Sequence, residues 1–371
     1  EEYRDYDVLV TSYDLLKRDI PWYEDKDFRF EIIDEAQYIK NPATAAAKAV
    51  KAIRSRVRYA LTGTPIENHL GELWSIFDYL MPGFLYGSDT FRKEIEIPAV
   101  KNGDETAMQR LQKMVSPFIL RRKKEDVLKD LPEKLEECRY VRLAGEQQKL
   151  YDAQLLRMKE FLSRQSSEDF QQSKIQILAE ITRLRQICCD PALCFDGYRG
   201  ETAKREACLE LIQSAIDGGH RMLVFSQFAS MLEILGQELE KLGISFFRIT
   251  GSTPKAKRLE LVHQFNNGTV PVFLISLKAG GVGLNLTGAD VVIHYDPWWN
   301  AAAQNQATDR AHRIGQKNKV TVYKLIARHT IEEKVRKLQD SKLELADQII
   351  GGELGGLGSL SQEELLELLE V

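Results

Sequence analysis

Val272-Phe273-Leu274-Ile275-Ser276 runs straight into Leu277-Lys278-Ala279-Gly280-Gly281-Val282-Gly283-Leu284-Asn285, and Val291-Val292-Ile293-His294-Tyr295 follows shortly after. An unbroken apolar run that ends on a hydroxyl and opens into a glycine-rich loop is the pattern of a strand buried on both faces. Working outward, the same texture recurs at Met222-Leu223-Val224-Phe225-Ser226 and Phe246-Phe247-Arg248-Ile249-Thr250. An N-terminal group holds Val8-Leu9-Val10-Thr11, Phe30-Glu31-Ile32-Ile33-Asp34 and Tyr59-Ala60-Leu61-Thr62. Helix-period stretches separate most of these runs, so the sequence predicts an α/β fold with parallel sheets in two lobes. Ligands of such sheets bind beyond the carboxyl ends of the strands, where Asp34, Thr62, Ser226 and Ser276 fall.

Residues 71–115 and 146–187 lack strand runs and carry helix-spaced apolar positions such as Leu150, Leu155, Met158 and Leu162. The segment from Pro117 to Pro132, with Arg121-Arg122-Lys123-Lys124, reads as a charged connector. Thr330-Ile331-Glu332-Glu333 is a capping box that opens a helix expected to run to about Ile350. Gly351 to Gly358 reads as a linker, and Ser361-Gln362-Glu363-Glu364 caps a short amphipathic tail helix.

The chain has 371 residues, enough for two or three domains, with 43% hydrophobic and 29% charged residues. Disorder, collagen and a disulfide mini-scaffold are excluded, and no apolar run approaches the roughly 20 residues of a membrane helix. Lys and Arg number 51 against 55 Asp and Glu, a net charge of −4, so any nucleic-acid contact must be local. Five cysteines with no paired spacing and no nearby histidine argue against zinc and against a disulfide framework.

Asp34-Glu35-Ala36-Gln37 follows a strand directly. Adjacent carboxylates there suit a magnesium–nucleotide site, one holding the metal through water and one activating the attacking water; an acid-decorated helix start is the competing reading. Leu61-Thr62-Gly63-Thr64-Pro65 presents small hydroxyls and bare backbone to a phosphate, or is a capped turn with Pro65 at the first helical position. In Gln306-Ala307-Thr308-Asp309-Arg310-Ala311-His312-Arg313-Ile314-Gly315-Gln316, Arg310 and Arg313 are three apart. On a helix both guanidiniums would leave one face, fit for a terminal phosphate, or for an ordinary charged surface. The 276–285 loop offers amides to phosphates of nucleotide or nucleic acid, and it is not a Walker A loop because no Gly-Lys-Ser/Thr follows. Trp298-Trp299, after Asp296-Pro297, either line a phosphate groove or pack within the lobe.

The order of these motifs carries more than any one of them. DEAQ (34–37), LTGTPIEN (61–68), VFSQF (224–228), ITGSTPKAKR (249–258), SLKAGGVGLNLTGADVVIHYDPWWN (276–300) and QATDRAHRIGQ (306–316) closely resemble the Swi/Snf-type family of superfamily 2 helicase-like ATPases, and VTSYDLL (10–16) resembles the segment preceding its DEAx box. The resemblance implies tandem RecA-like lobes with helical insertions, using ATP and Mg, translocating on double-stranded DNA without unwinding it, and acting on a DNA-bound protein. Asp34 would hold magnesium through water and Glu35 would be the general base, with Arg310 and Arg313 as arginine fingers. Gln37, Gly281, Gly283 and Gln306 would attend the nucleotide; Gln37 stands where many members carry His. Thr11, Ser12, Thr62, Gly63 and Thr64 on the first lobe would line the DNA track or couple it to ATP. Ser226, Gln227, Ser276, Lys278, Gly280, Asn285 and Trp298 would do so on the second.

The same resemblance implies a layout. Residues 1–115 would be the C-terminal part of the first lobe with its helical insertion, and 116–145 the connector. Residues 146–200 would form a helical protrusion, 201–329 the second lobe, and 330–371 a brace and tail helix. The family's Walker A loop would lie upstream of Thr11, so the first lobe is expected to be incomplete and the chain alone to hydrolyse ATP poorly. A non-catalytic DNA- or protein-binding module and a single-strand or RNA helicase are the alternatives. The compact motif spacing and the short LSQEELLELLEV ending point to a bacterial cytoplasm, with a nucleus as the counterpart for a eukaryotic source. No membrane association is expected, and oligomeric state is not encoded legibly.

Overall fold

The computed structural model describes residues 3–63, 70–101, 104–122, 124–164, 167–280, 283–337 and 339. The chain divides into two compact units between Arg121 and Arg122.

In the first unit, strands β1 (Asp27–Ile33) and β2 (Arg54–Ala60) pair in parallel, with Asp27 opposite Arg54 and Ile33 opposite Ala60. The ladder continues past both strands: Leu61 N–H donates to the Ile33 carbonyl at 2.8 Å and Ala36 N–H to the Leu61 carbonyl at 2.9 Å. This stitches DEAQ to LTG. Helix α1 (Tyr13–Glu24) starts at Ser12, whose hydroxyl accepts from Leu15 N–H; α2 (Ala45–Ala52) is capped in the same way by Thr44. These helices and α3 (Leu70–Leu80) cover one sheet face with Leu16, Ala47, Val50, Ile76 and Tyr79. The other face presents Phe30, Ile32, Val57 and Tyr59, which are 40–61% exposed. Residues 88–101 form short helical turns, and with α4 (Glu105–Val115) they close a second apolar cluster around Phe77, Phe91 and Leu111. Val8–Thr11, expected as a strand, has none: no strand of the described residues pairs with it, and Val8 and Val10 are exposed.

The second unit holds six parallel strands in the order β3-β8-β7-β4-β6-β5. They are β3 (Lys134–Val141), β4 (Met222–Ser226), β5 (Phe246–Ile249), β6 (Val272–Ser276), β7 (Val291–His294) and β8 (Val320–Ala327). Side-chain alternation divides two cores. Leu223, Phe225, Phe273 and Ile275 face one layer, and Met222, Val224, Val272 and Leu274 face the other. Helices α7 (Ala203–Asp217), α8 (Ala229–Lys241) and α9 (Lys255–Asn267) are the connections that parallel strands require. A hairpin of α5 (Gly145–Ser163) and α6 (Ser167–Cys189) builds a third cluster with Ile331 and Val335.

Two strands differ from the sequence reading. Residues 134–141, assigned to the connector, form edge strand β3, whose charged residues keep that edge solvated. Strand β8 was not recognised at all. The helix after Thr330 begins at Ile331: the Thr330 hydroxyl accepts from Glu332 N–H, and Glu333 reaches back to His329 N–H at 3.0 Å. Its continuation beyond residue 339, the glycine-rich linker and the tail helix lie outside the described residues. All five cysteines are free thiols. Among the described residues no helix is long and apolar enough to cross a membrane.

Candidate nucleotide and nucleic-acid sites

At the carboxyl end of β1, Glu35 adopts a left-handed backbone conformation, φ 51°, uncommon for a residue with a side chain. Such strain gathers where surrounding contacts fix it, and here they do. The Asp34 carboxylate accepts from Glu35 N–H at 2.8 Å, and the Tyr13 hydroxyl donates to the Asp34 carbonyl at 2.8 Å. The Gln37 amide nitrogen donates to Glu35 Oε2 at 2.5 Å, while the Thr62 hydroxyl donates to Gln37 Oε1 at 2.8 Å. Glu35, Gln37 and Thr62 thus form one line, and Gln37 joins the two motifs. Tyr13 lies against the same carboxylates; burial and then Asp34 push its phenol up to about 12, so it stays a hydrogen-bond donor.

Asp34 is exposed, and its oxygens are the hard donors that magnesium prefers. Among the described residues no cluster of three His, Cys, Asp or Glu side chains forms a metal cage. One carboxylate with water and phosphate completing the shell is the donor set that Asp34 fits. Thr11, Ser12 and Gly63 are exposed and Thr62 is half-buried. Thr64 lies outside the described residues.

On the second unit the arginine segment departs from expectation. Helix α10 (Ala301–Thr308) ends before Arg310, so Arg310 and Arg313 sit on the turns that follow it and not on one helical face. These turns serve the glycine-rich loop: Leu286 N–H donates to the Arg310 carbonyl at 2.9 Å, and the Arg313 guanidinium reaches the Leu284 carbonyl at 3.5 Å. Gln316 knots them together. Its amide nitrogen donates to the carbonyls of Thr287, Ala289 and Ala311, and its oxygen accepts from Lys317 and Asn318 N–H. From the other side Lys124 pairs with Asp309 at 2.7 Å, and His312 Nε2 bonds the Pro132 carbonyl at 2.7 Å. Arg310 is buried and Arg313 half-buried; Gln306 lies on α10.

Of the loop residues, Gly283 and Asn285 are exposed, Lys278 and Gly280 lie in the helical turn Leu277–Gly280, and Gly281 is outside the described residues. Three expected track residues are turned inward. Ser226 is fully buried and donates to Asp296 Oδ1 at 2.5 Å; Ser276 is buried and caps the 277–280 turn by accepting from Ala279 N–H. Neither hydroxyl is presented to a polymer. Trp298 is half-buried and packs against the apolar cluster that includes Phe225 and Phe273, its amide held by Gln304 Oε1 at 3.1 Å.

Sequence reasoning missed the buried polar groups behind this edge. Arg185 on α6 bonds Gln227 Oε1 at 2.9 Å and the Pro297 carbonyl. Asp296 accepts from both Ser226 and Gln227 N–H, and burial pushes its carboxyl up. Lys204, fully buried, lies 2.6 Å from the Glu332 carboxylate and donates to the Tyr295 carbonyl at 3.0 Å. Only the acid of the DPWWN string carried a signal; Arg185 and Lys204 sit in ordinary helical sequence.

Residues 1–193 match the SNF2-related domain and residues 203–315 the helicase conserved C-terminal domain. An uncharacterised ATP-dependent helicase of Mycoplasma genitalium is 42% identical over 367 residues, spanning 98% of this chain and 34% of that protein. A putative ATP-dependent helicase/translocase of Bacillus subtilis is 41% identical over 374 residues, 99% of this chain and 40% of its own length. TATA-binding protein-associated factor 172 of Homo sapiens is 36% identical over 422 residues, 98% and 23%. The chain thus spans 34% and 40% of the length of these two bacterial relatives. Among solved structures, the Sulfolobus solfataricus SWI2/SNF2 ATPase core in complex with dsDNA is 37% identical, with a TM-score of 0.56, and the match covers all of this chain and 79% of that one. The fold is accordingly that of tandem RecA-like lobes, and the chain belongs to the SNF2-related family of helicase-like ATPases.

Proposed function

We propose that the intact protein is a DNA-dependent ATPase that uses ATP hydrolysis to move along duplex DNA and to displace proteins bound there. The observation that carries this reading is the Glu35–Gln37–Thr62 line, which ties a strand-end carboxylate suited to activating water to a hydroxyl at the second strand end. Within the first unit Asp34 is assigned to magnesium and Glu35 to the base; within the second unit Arg310 and Arg313 are assigned to phosphate charge. The 371 residues contain no Gly-Lys-Ser/Thr loop, so no residue of this chain is assigned to a Walker A phosphate cradle. ATP would supply the reacting phosphoryl group and magnesium would offset its charge, while the chain's own groups position water and neutralise charge.

Duplex DNA is supported as the polymer by the neighbour solved in complex with dsDNA, and a DNA-bound protein as target by the TATA-binding protein-associated factors among the relatives. The test is ATP hydrolysis by the intact protein with no nucleic acid, duplex DNA, single-stranded DNA and RNA. Stimulation chiefly by duplex DNA is expected, and Arg313→Ala should lower turnover by roughly 10³-fold. Stronger stimulation by RNA or single strands would replace this reading with a helicase one.

A further inference from the structure

We infer that Arg185 is a positioning residue that locks the α5–α6 hairpin to the strand-end loops of the second unit, so that the hairpin sets how Gln227 meets DNA; this rests on the proposed function. Arg185 lies near the C-terminal end of α6 and is 3% exposed. One terminal nitrogen donates to Gln227 Oε1 at 2.9 Å, and the other donates to the Pro297 carbonyl and lies 3.9 Å from Asp296 Oδ2. The guanidinium sits 5.4 Å from the Trp299 ring and 6.0 Å from that of Phe228. Asp296 closes the node by accepting from Ser226 and Gln227 N–H.

A single cation from outside the sheet thereby fixes two loops at once, residues 227–228 after β4 and 296–299 after β7. If packing were the whole requirement, an apolar side chain would fill this buried place at no desolvation cost. The planar fork instead fixes direction, which lysine cannot reproduce. Two donors of the node, Arg185 Nε and Gln227 Nε2, are buried with no hydrogen-bond partner among the described residues. Unsatisfied donors raise the free energy of this arrangement.

The test uses the intact protein with Arg185→Met, Arg185→Lys, Gln227→Ala and the double variants. Read-outs are the duplex concentration for half-maximal ATPase stimulation, KM for ATP, duplex affinity by fluorescence anisotropy, and thermal midpoint. Arg185→Met should raise the half-maximal duplex concentration about tenfold, as expected for losing a charged hydrogen bond, with KM for ATP unchanged. Arg185→Lys should recover only part of this. In the Gln227→Ala background the Arg185 effect should vanish, because the two residues act as one unit. A lowered thermal midpoint with an unchanged duplex requirement, or additive effects of the two substitutions, would overturn the inference. If Arg185→Met does not fold, the Arg185→Lys and Gln227→Ala cycle decides by the same criterion. An unmodified protein that no polymer stimulates overturns the proposed function as well, whereas a stimulated one with additive variants overturns this inference alone.

Discussion

Gln37 accepts a hydrogen bond from the Thr62 hydroxyl at 2.8 Å while its own amide nitrogen donates to Glu35 at 2.5 Å, so one side chain spans the ends of two parallel strands. The amide can do both at once because it carries an acceptor and a donor on one planar group. A carboxylate in its place would repel Glu35, and an aliphatic residue would leave it unaimed.

Thr62→Val removes the donor at nearly constant volume, and Gln37→Leu removes both bonds. Each should lower duplex-stimulated ATP turnover of the intact protein, with Gln37→Leu the more severe. Loss of a hydrogen bond to a charged group is worth about 1.5–3 kcal/mol, or roughly 10- to 100-fold in rate. Steady-state hydrolysis at saturating ATP checks this, and a full-rate Gln37→Leu protein would remove the line from the mechanism.

Much of this site was legible in sequence, and the failures have physical reasons. The acid pair after Ile33, the glycine-rich loop after Ser276 and the two-lobe α/β division follow from local apolar runs and their polar ends. Strand β3 was missed because Lys134, Glu136, Glu137 and Arg139 look like a solvated connector until β8, far along the chain, supplies the pairing partner. Arg310 and Arg313 were placed on a helix by spacing alone, yet α10 stops at Thr308 and the following backbone bonds the 284–289 loop. Ser226 reads as a strand-end hydroxyl open to ligand, and only the fold reveals Asp296 buried beside it.

Gln316 is the next test, since its amide satisfies three carbonyls and two N–H groups in turns with no regular ladder of their own. Gln316→Leu should destabilise the second unit by about 2–3 kcal/mol, the cost of leaving buried backbone groups unsatisfied. Chemical denaturation followed through Trp298 and Trp299 fluorescence measures it. A change within about 0.5 kcal/mol, the ordinary range for surface substitutions, would show that water replaces the amide.

The Lys204–Glu332 pair joins α7 to the helix after β8 in a place closed to water. Lys204→Met strands a buried carboxylate and should cost about 3–5 kcal/mol. Adding Glu332→Gln removes that charge while keeping an acceptor for Ala327 N–H, which lies 2.9 Å from the carboxylate. The double variant should therefore be more stable than Lys204→Met alone; equal stabilities would mean that packing, not charge, dominates here.

Opposite responses to pH are expected in the two units. Burial pushes Glu31 up to about 7 from its ordinary 4.5, against the pull of Arg58 at 3.3 Å and the Ser55 hydroxyl. Between those values the unfolded chain has released a proton that the folded unit retains, so the first unit loses stability as pH rises from about 4.5 to 7. Burial holds His294 down at about 3, below its ordinary 6.5, with Nε2 bonded to Thr308. Below 6.5 the unfolded chain binds a proton that the folded unit refuses, so the second unit loses stability as pH falls. The His294 contribution is about 2 kcal/mol by pH 5. Peptide-resolved hydrogen exchange, corrected for the intrinsic pH dependence of amide exchange, should show residues 27–60 gaining protection and residues 222–294 losing it on going from pH 7.5 to 5.5. Glu31→Gln should flatten the first trend and His294→Asn the second, and a trend that either substitution leaves unchanged would refute the assignment of that group.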